Sequence, residues 1–192
     1  MVVFIGLGNV GAQYADTKHN AGFWVVDELA RRWSLTFKPG RGAYVYAPDE
    51  RREVLLAKPT TGMNASGVAV KQLVHQWEVP LKNLYVILDD VDLPLGSLRL
   101  RPKGGDGCHR GMASVIYQLG DQHFPRLRVG IATAERTRPA ERFVLKPFRK
   151  KDLPLGRMMV QLAADAVEMI LEQGLEQTMT HYNRMEKTDE VH

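Results

Sequence analysis

The segment VVFIGLGNVGAQYADTKHN, residues 2–20, sets the expectation for the fold. Residues 2–7 form a short run of β-branched and aromatic side chains that stops at Gly8, which is typical of a buried strand. A polar loop follows, and apolar residues then recur at helical spacing from Asn20, a residue type that often caps helices. The segment therefore predicts a strand, a loop and a helix, with His19 just before the helix begins.

The rest of the chain continues this alternation. YVYA at 44–47 and VLLA at 54–57 predict a hairpin across a charged turn, and LYVIL at 84–88 predicts a central strand that ends at Asp89 and Asp90. Apolar spacing also predicts a helix capped by Asn64, helices over about 112–119 and 155–173, and a strand over 126–132. Strands that alternate with helices indicate an α/β fold. We expect a single-domain three-layer sandwich whose mixed, largely parallel, twisted sheet is flanked by helices.

Length and composition predict one ordinary globular domain. The chain has 192 residues, of which 44% are hydrophobic and 25% charged, close to the averages for soluble proteins. We expect residues 1–185 to form a single catalytic domain and residues 186–192 a polar C-terminal tail. No apolar run reaches the roughly 18–20 residues of a membrane-spanning helix, and no basic leader precedes the first strand. With the single cysteine Cys108, these features predict a cytoplasmic protein without disulfides or membrane contact.

The charge balance favours anionic partners. Lys and Arg number 26 against 22 Asp and Glu, which gives a net charge of +4 and a pI near 9.2. If the basic segments meet on one face they make a phosphate-binding surface, and the alternative is a set of scattered, solvated charges. The basic residues crowd into a few segments: Arg99, Arg101, Lys103 and Arg110; Arg126 and Arg128; Arg136 and Arg138; and Arg149, Lys150 and Lys151.

Gly6, Gly8 and Gly11 have the spacing of a dinucleotide-binding loop. That fingerprint requires a helix to begin at the loop, so that its N-terminus meets the pyrophosphate. Here the polar stretch AQYADTK follows and lacks helical periodicity. The glycines are better explained by a sharp turn and close packing, and a nucleotide-dependent enzyme remains an alternative.

His19 is the strongest catalytic candidate, because it lies at the edge where functional clefts of parallel sheets form. An imidazole can take a proton from water when a carboxylate fixes its tautomer and stabilises the imidazolium. Asp89, at the end of the predicted central strand, is the natural partner. Asn9 and Asn20 share the segment with His19.

Two other readings of these loops are open. Asp89, Asp90 and Asp92 could hold a magnesium ion, although such clusters also cap turns. Cys108 beside His109 has the residue types of a thiol nucleophile and its base, but sequence neighbours rarely place their side chains in mutual reach.

Five ordered segments resemble the bacterial peptidyl-tRNA hydrolase family. They are GLGNVGAQYADTKHNAGF at 6–23, KPTTGMNASGVAV at 58–70, LDDVDLPLGSLRLRPKGGDGCHRG at 88–111, FPRLRVGI at 124–131 and FVLKPF at 143–148. The resemblance implies a cytoplasmic, monomeric enzyme without metal or cofactor that cleaves the ester between a peptide and the 3′ ribose of tRNA. Such an enzyme recycles peptidyl-tRNA released from stalled ribosomes and contacts the acceptor stem and 3′ end. A catalytically silent RNA-binding relative of the same fold is the alternative from another functional class.

The resemblance also implies roles for individual residues. His19 is expected to be the base and Asp89 the acid that orients it. The expected substrate contacts in the cleft are Asn9, Tyr14, Met63 and Asn64, and the expected tRNA phosphate contacts are Arg101 and Arg128. Arg110, which differs from the residue usual in the family, is expected to be a substrate contact of altered chemistry.

One position departs from the family pattern. Most members have His-Asn-Gly where this chain has His109-Arg110-Gly111, and Cys108 replaces a glycine. A guanidinium donates hydrogen bonds but cannot accept them, so Arg110 can bind a phosphate or an oxyanion but cannot replace the amide oxygen of an asparagine.

Overall fold

A computed structural model describes residues 1–185, and the predicted tail at 186–192 lies outside the described residues. The described chain has the predicted α/β fold. Its strands are β1 (Val2–Gly6), β2 (Lys38–Pro39), β3 (Tyr44–Asp49), β4 (Val54–Pro59), β5 (Leu84–Pro94), β6 (Leu98–Arg101) and β7 (Arg126–Ala132). Its helices are α1 (Ala21–Arg32), α2 (Ser66–Gln76), α3 (Arg110–Leu119), α4 (Ala140–Val144), α5 (Leu153–Gln173) and α6 (Leu175–Met185). None of these described helices combines the length and apolarity needed to cross a membrane.

The strands form one mixed sheet in the order β2-β3-β4-β1-β5-β7-β6. The four central strands β4, β1, β5 and β7 are parallel, and the predicted β3–β4 hairpin and the outer strand β6 add antiparallel pairs. Gly6 at the end of β1 lies beside Ile87 of β5, which lies beside Leu127 of β7. The loops that follow β1, β5 and β7 therefore meet at one edge of the sheet.

Both faces of the sheet are covered, which confirms the three-layer sandwich. Alternating residues of β1 point to opposite faces: Phe4 joins the core under α1 and α5, and Ile5 joins the core under α2 and α3. Val25 of α1 and Met159 of α5 belong to the first core, and Val115 of α3 belongs to the second. With apolar layers on both sides, the central strands are near-continuous hydrophobic runs.

Asn20 occupies the predicted N-cap position of α1 without capping it through its side chain, and the predicted cap at Asn64 is wrong. Helix α1 begins at Ala21, but the side chain of Asn20 forms no capping hydrogen bond and contacts the backbone of Asn9 instead. Asn64 lies in the middle of the 3₁₀ turn Met63–Ala65, one turn before α2. In both places a short 3₁₀ turn precedes the α-helix, and at Asn20 the side chain bonds to the backbone of Asn9 instead of the free N–H groups of α1.

The central strand is longer than its apolar run. It was expected to end at Asp89, yet β5 runs to Pro94 and continues to pair with β7, with a register shift between Asp90 and Pro94. The extension carries Asp92, a polar residue that the hydrophobic pattern assigned to a loop. Pairing with a neighbouring strand, rather than local apolarity, keeps these residues extended.

Candidate active site

A cleft of about 620 Å³ opens at the edge of the sheet where β1 and β5 end. It brings together most of the predicted site residues, which come from five separate segments of the chain. Those that line it are Asn9, Tyr14, His19, Met63, Asn64, Asp89, Arg110 and Arg128. Arg101, by contrast, is exposed on β6 and does not line the cleft.

Asp89 forms the centre of the cleft because it contacts two imidazoles at once. His19 Nδ1 lies 2.9 Å from each carboxylate oxygen, and His109 Nε2 lies 2.9 Å from Oδ1. The Asp89 side chain is only 1% exposed, so water does not satisfy it. The two rings are 4.8 Å apart, and together they enclose the carboxylate on the cleft side.

The neighbouring groups decide which nitrogen of each ring carries a proton. The backbone N–H of Met112 donates to His109 Nδ1 at 3.2 Å, so the proton of a neutral His109 is on Nε2 and points to Asp89. Asp89 also accepts from His19 Nδ1, which leaves Nε2 of a neutral His19 without a proton. A nitrogen in that state can accept a proton from water.

The electrostatics of Asp89 fit this arrangement. Burial alone would raise the pKa of the carboxyl group, but the facing imidazoles of His109 and His19 outweigh burial and hold the pKa well below its usual range. Asp89 therefore stays ionised at neutral pH and can stabilise positive charge that forms on a neighbouring ring.

His109 is the member of this cluster that sequence reasoning missed. It was noticed as the neighbour of Cys108 and as part of the family pattern at 109–111, but no role was assigned to it, while its ring turns toward Asp89 from the residue that precedes α3. Cys108 itself is exposed, and its backbone has a left-handed φ of 60°. The position of His109 at the start of a helix that follows a glycine-rich loop was the available signal, since such helices begin at the functional edge.

Asn9 is held in the cleft by its neighbours on both sides. Its backbone N–H donates to Asn20 Oδ1 at 2.7 Å, and its carbonyl accepts from Asn20 Nδ2 at 2.9 Å. Its side-chain Oδ1 accepts from the backbone N–H of Met63 at 2.8 Å. Among the described residues no acceptor forms a hydrogen bond with the Nδ2 group of Asn9, so its two hydrogens are available to a ligand.

The glycines after β1 serve packing rather than nucleotide binding. A Cβ on Gly6 would lie 2.1 Å from the carbonyl oxygen of Gly22, and one on Gly8 would lie 2.6 Å from the ring of Phe23. Helix α1 does not begin at this loop but at Ala21, after two 3₁₀ turns. The loop therefore lacks the helix N-terminus that would bind a pyrophosphate.

The three aspartates of β5 do not form a magnesium site. Asp90 Oδ2 lies 2.9 Å from Arg128, and Asp92 pairs with Arg138 at 2.6 Å, while Asp89 contacts the imidazoles. Within the described residues, the potential metal ligands that gather are His19, Asp89 and His109, with donor atoms within 4.8 Å of one another. Asp89 lies at the hydrogen-bond distance of 2.9 Å from His19 Nδ1 and from His109 Nε2, so each of these nitrogens is engaged by the carboxylate.

The basic residues separate into surface and buried groups. Arg101 and Arg99 share one face of β6, and Arg128 lies opposite Arg99 on β7. Arg126, which the sequence grouped with the phosphate-binding candidates, is 2% exposed and donates to the carbonyls of Gly104, Gly105, Gln122 and Phe124. Burial lowers its pKa to about 10. Arg126 therefore fixes the glycine-rich loop and does not belong to the basic surface.

One side of the cleft is a wall that the sequence did not single out. The cleft wall, residues 138–145, contains α4 and contributes Pro139, Val144 and Leu145 to the lining. Arg110 forms an ion pair with Glu141 of this wall, and both side chains are more than half exposed. The side chain that departs from the family pattern thus spans the mouth of the cleft.

The chain is similar throughout to known peptidyl-tRNA hydrolases. A family model described as peptidyl-tRNA hydrolase matches residues 3–190. The peptidyl-tRNA hydrolase of Chloroflexus aurantiacus is 46% identical over 191 residues, covering 95% of this chain and 99% of that protein. That of Geobacillus kaustophilus is 40% identical over 185 residues, covering 95% and 100%. The crystal structure of the Acinetobacter baumannii peptidyl-tRNA hydrolase superposes with a TM-score of 0.87 at 28% identity, covering 95% of this chain and 94% of that one.

Proposed function

The chain belongs to the peptidyl-tRNA hydrolase family, and from that premise we propose that its cleft hydrolyses the ester between a peptide and the 3′ ribose of tRNA. The observation that carries the proposal is the buried Asp89 carboxylate, which holds His19 at 2.9 Å in the tautomer of a base. The reaction recycles peptidyl-tRNA released from stalled ribosomes.

His19 acts as the general base toward a water molecule. Its Nε2 takes a proton as the water oxygen attacks the ester carbonyl, and Asp89 stabilises the imidazolium that forms. The tetrahedral intermediate then expels the 3′ oxygen of the ribose, which takes the proton from the His19 imidazolium as the bond breaks, so that His19 is again a neutral base. Because an ester has a good leaving group, this step needs no covalent intermediate on a serine or cysteine side chain.

The amide side chains of the cleft position the ester. Asn9 uses its acceptor on the backbone of Met63, so only its Nδ2 hydrogens remain for the substrate. A donor of that kind can bind the carbonyl oxygen, on which negative charge develops. Asn64 and Tyr14 line the same cleft and contact the peptide or the terminal ribose.

The tRNA phosphates bind at the outer edge of the sheet. Arg128 lines the cleft and Arg101 lies on the adjacent strand, on the surface nearest the glycine-rich loop. Arg128 is oriented by Asp90, which leaves part of the guanidinium for a phosphate. Arg110, with donors but no acceptor, exchanges Glu141 for a phosphate near the 3′ end. Phosphate contacts suit a substrate class that shares a backbone and an acceptor end but not a sequence.

We also propose that the protein works as a cytoplasmic monomer. The reaction as written uses water and the side chains of the cleft, with no cofactor. A silent RNA-binding protein would have no use for an imidazole fixed by a buried carboxylate, which favours the hydrolase.

The purified protein should release tRNA from an N-blocked aminoacyl-tRNA and spare the unblocked one. His19→Ala should lower kcat by about 10²-fold or more, because the proton acceptor is lost while the cleft stays intact. Rates are measured by release of labelled amino acid from tRNA under single-turnover conditions. An equal rate in the variant and the parent protein would rule out His19 as the base.

The phosphate contacts predict a different kinetic signature. Arg101→Ala should raise KM by about 10-fold at low salt and leave kcat within about 2-fold, because it removes a tRNA contact distant from the ester. The salt dependence of KM should also become shallower by about one unit of slope. A variant that changes kcat alone would contradict this role for Arg101.

A further inference from the structure

Lys18, the residue immediately before His19, is buried although it carries a charge. Its side chain is 1% exposed, and its ammonium donates to the backbone carbonyls of Phe143 at 3.4 Å, Lys146 at 3.3 Å and Pro147 at 3.0 Å. An ammonium group is costly to bury unless it is hydrogen-bonded and near opposite charge. These carbonyls supply the bonds that water would otherwise make.

Other groups complete the surroundings of this ammonium. Glu135 Oε2 lies 3.9 Å away, and the rings of Phe143 and Phe148 lie 4.2 and 5.4 Å from the nitrogen. Burial lowers the pKa of Lys18, and the charge of Glu135 opposes that effect. The carboxylate, the carbonyls and the aromatic faces all belong to residues 135–148, so a single side chain binds that whole segment.

The bound segment contains the cleft wall. Residues 138–145 line the cleft, and the carbonyls that Lys18 contacts belong to the end of the wall and the residues just after it. The backbone N–H of Lys18 also donates to the carbonyl of Lys146 at 3.1 Å. Lys18 and His19 share the 3₁₀ turn 18–20, so the attachment of the wall and the proposed base are fixed to one short element.

The other charged contacts of the wall are weaker. Arg110–Glu141 and Arg138–Asp92 join its rim to the opposite side, but every one of these side chains is more than half exposed. Exposed ion pairs are screened by water and salt, and they contribute little to holding two segments together. Phe143 and Val144 of the wall also pack into the hydrophobic core, so Lys18 is the buried polar attachment of the wall, and the rim pairs can open when substrate enters.

We propose that Lys18 is a positioning residue that holds the cleft wall over His19 and thereby sets the affinity for the peptidyl part of the substrate. This inference rests on the proposed function. Val144 and Leu145 give the wall an apolar surface toward the cleft, where the side chain next to the ester would lie. If the wall moves away from His19, the substrate loses its apolar contacts with Val144 and Leu145, whereas proton transfer at His19 is unchanged.

Kinetics with two substrates test this role. Lys18→Met removes the charge and keeps much of the volume. It should raise KM for N-acetyl-phenylalanyl-tRNA by about 10-fold, raise it less for N-acetyl-alanyl-tRNA, and leave kcat within about 3-fold. Lys18→Arg, which restores a cation with several donors, should return KM to within about 2-fold of the parent. Lys82→Met, an exposed lysine at the opposite edge of the sheet, is the matched control and should change neither constant.

Hydrogen exchange tests the attachment without relying on activity. Amides of residues 140–148 should exchange at least about 10-fold faster in Lys18→Met, while those of β1 and β5 keep the parent rates. If the parent protein hydrolyses neither substrate, the proposed function fails and this measurement still decides whether Lys18 holds the wall. Unchanged KM and unchanged local exchange, with only a lower melting temperature, would overturn the proposal. Should Lys18→Met not fold, Lys18→Gln takes its place, and failure of both would assign Lys18 to folding and overturn the proposal as well.

Discussion

Two polar clusters in this molecule have opposite constructions. On one side of the sheet Arg32 joins α1 to α5, where its guanidinium contacts Glu28, Asp165, Glu168 and Gln161 at 2.6–2.9 Å. At the edge of the sheet Asp89 joins His19 to His109 at 2.9 Å. The first cluster has a cation at its centre and lies partly in solvent, and the second has a buried carboxylate at its centre.

The difference lies in which groups can exchange protons. A guanidinium never deprotonates in a protein, so the Arg32 cluster keeps a fixed positive charge at its centre. An imidazole gains or loses a proton near neutral pH, and an ionised Asp89 favours the gain. Side-chain hydrogen bonds thus stabilise helix packing in one place and prepare a base in the other.

Asp89→Asn should produce the largest change that separates the two clusters. Both facing imidazole nitrogens carry protons directed at Asp89, and an asparagine presents one oxygen to them in place of two. Its NH₂ group then favours the wrong tautomer of one ring. We expect kcat for N-blocked aminoacyl-tRNA to fall by about 10²-fold or more with KM within about 3-fold.

Asp121→Asn is the matched control for that variant. Asp121 contacts His123 Nδ1 at 2.7 Å, which reproduces the carboxylate–imidazole pair on the protein surface, with both side chains largely exposed. The kcat of the Asp121→Asn variant for N-blocked aminoacyl-tRNA should equal that of the parent protein. Equal losses in the two variants would mean that the burial and second imidazole of Asp89 do not matter for catalysis.

Most of the fold, but only part of this site, could be predicted from the sequence. Apolar runs located the central strands, and the edge where they end located His19 and Asp89. The hydrophobic pattern could not show that β5 continues past Asp90, because pairing with β7 keeps that part extended. Helix α6 and the five-residue α4 were also missed, α4 because five residues are too few for a helical period to be recognised.

The roles of His109 and Arg126 show why the rest was out of reach. In the sequence, His109 follows a cysteine that suggested a thiol nucleophile, and Arg126 belongs to a basic cluster that suggested phosphate binding. Their actual partners are Asp89, twenty residues away, and the carbonyls of the glycine-rich loop. Residue type and spacing describe what a side chain can do, and only the packed chain decides which partner it meets.

Arg32→Met should produce the smaller and purely structural effect. It removes the bridge between α1 and α5, and the free energy of unfolding should fall by about 1–2 kcal/mol at neutral pH, since several partners are solvent-exposed.

Hydrogen bonds from Arg31 and then Arg32 lower the pKa of Glu28 to about 2. Because the pKa of Glu28 is lower in the folded protein than in the unfolded chain, its ionised carboxylate stabilises the fold at pH values above the unfolded pKa. That contribution is lost as the pH falls toward 2. The difference between parent and variant, measured by urea unfolding, should therefore shrink from pH 5 toward pH 2, while kcat/KM at neutral pH stays within about 2-fold. A large loss of activity without a loss of stability would show that the Arg32 cluster reaches the cleft and would end the separation between the two.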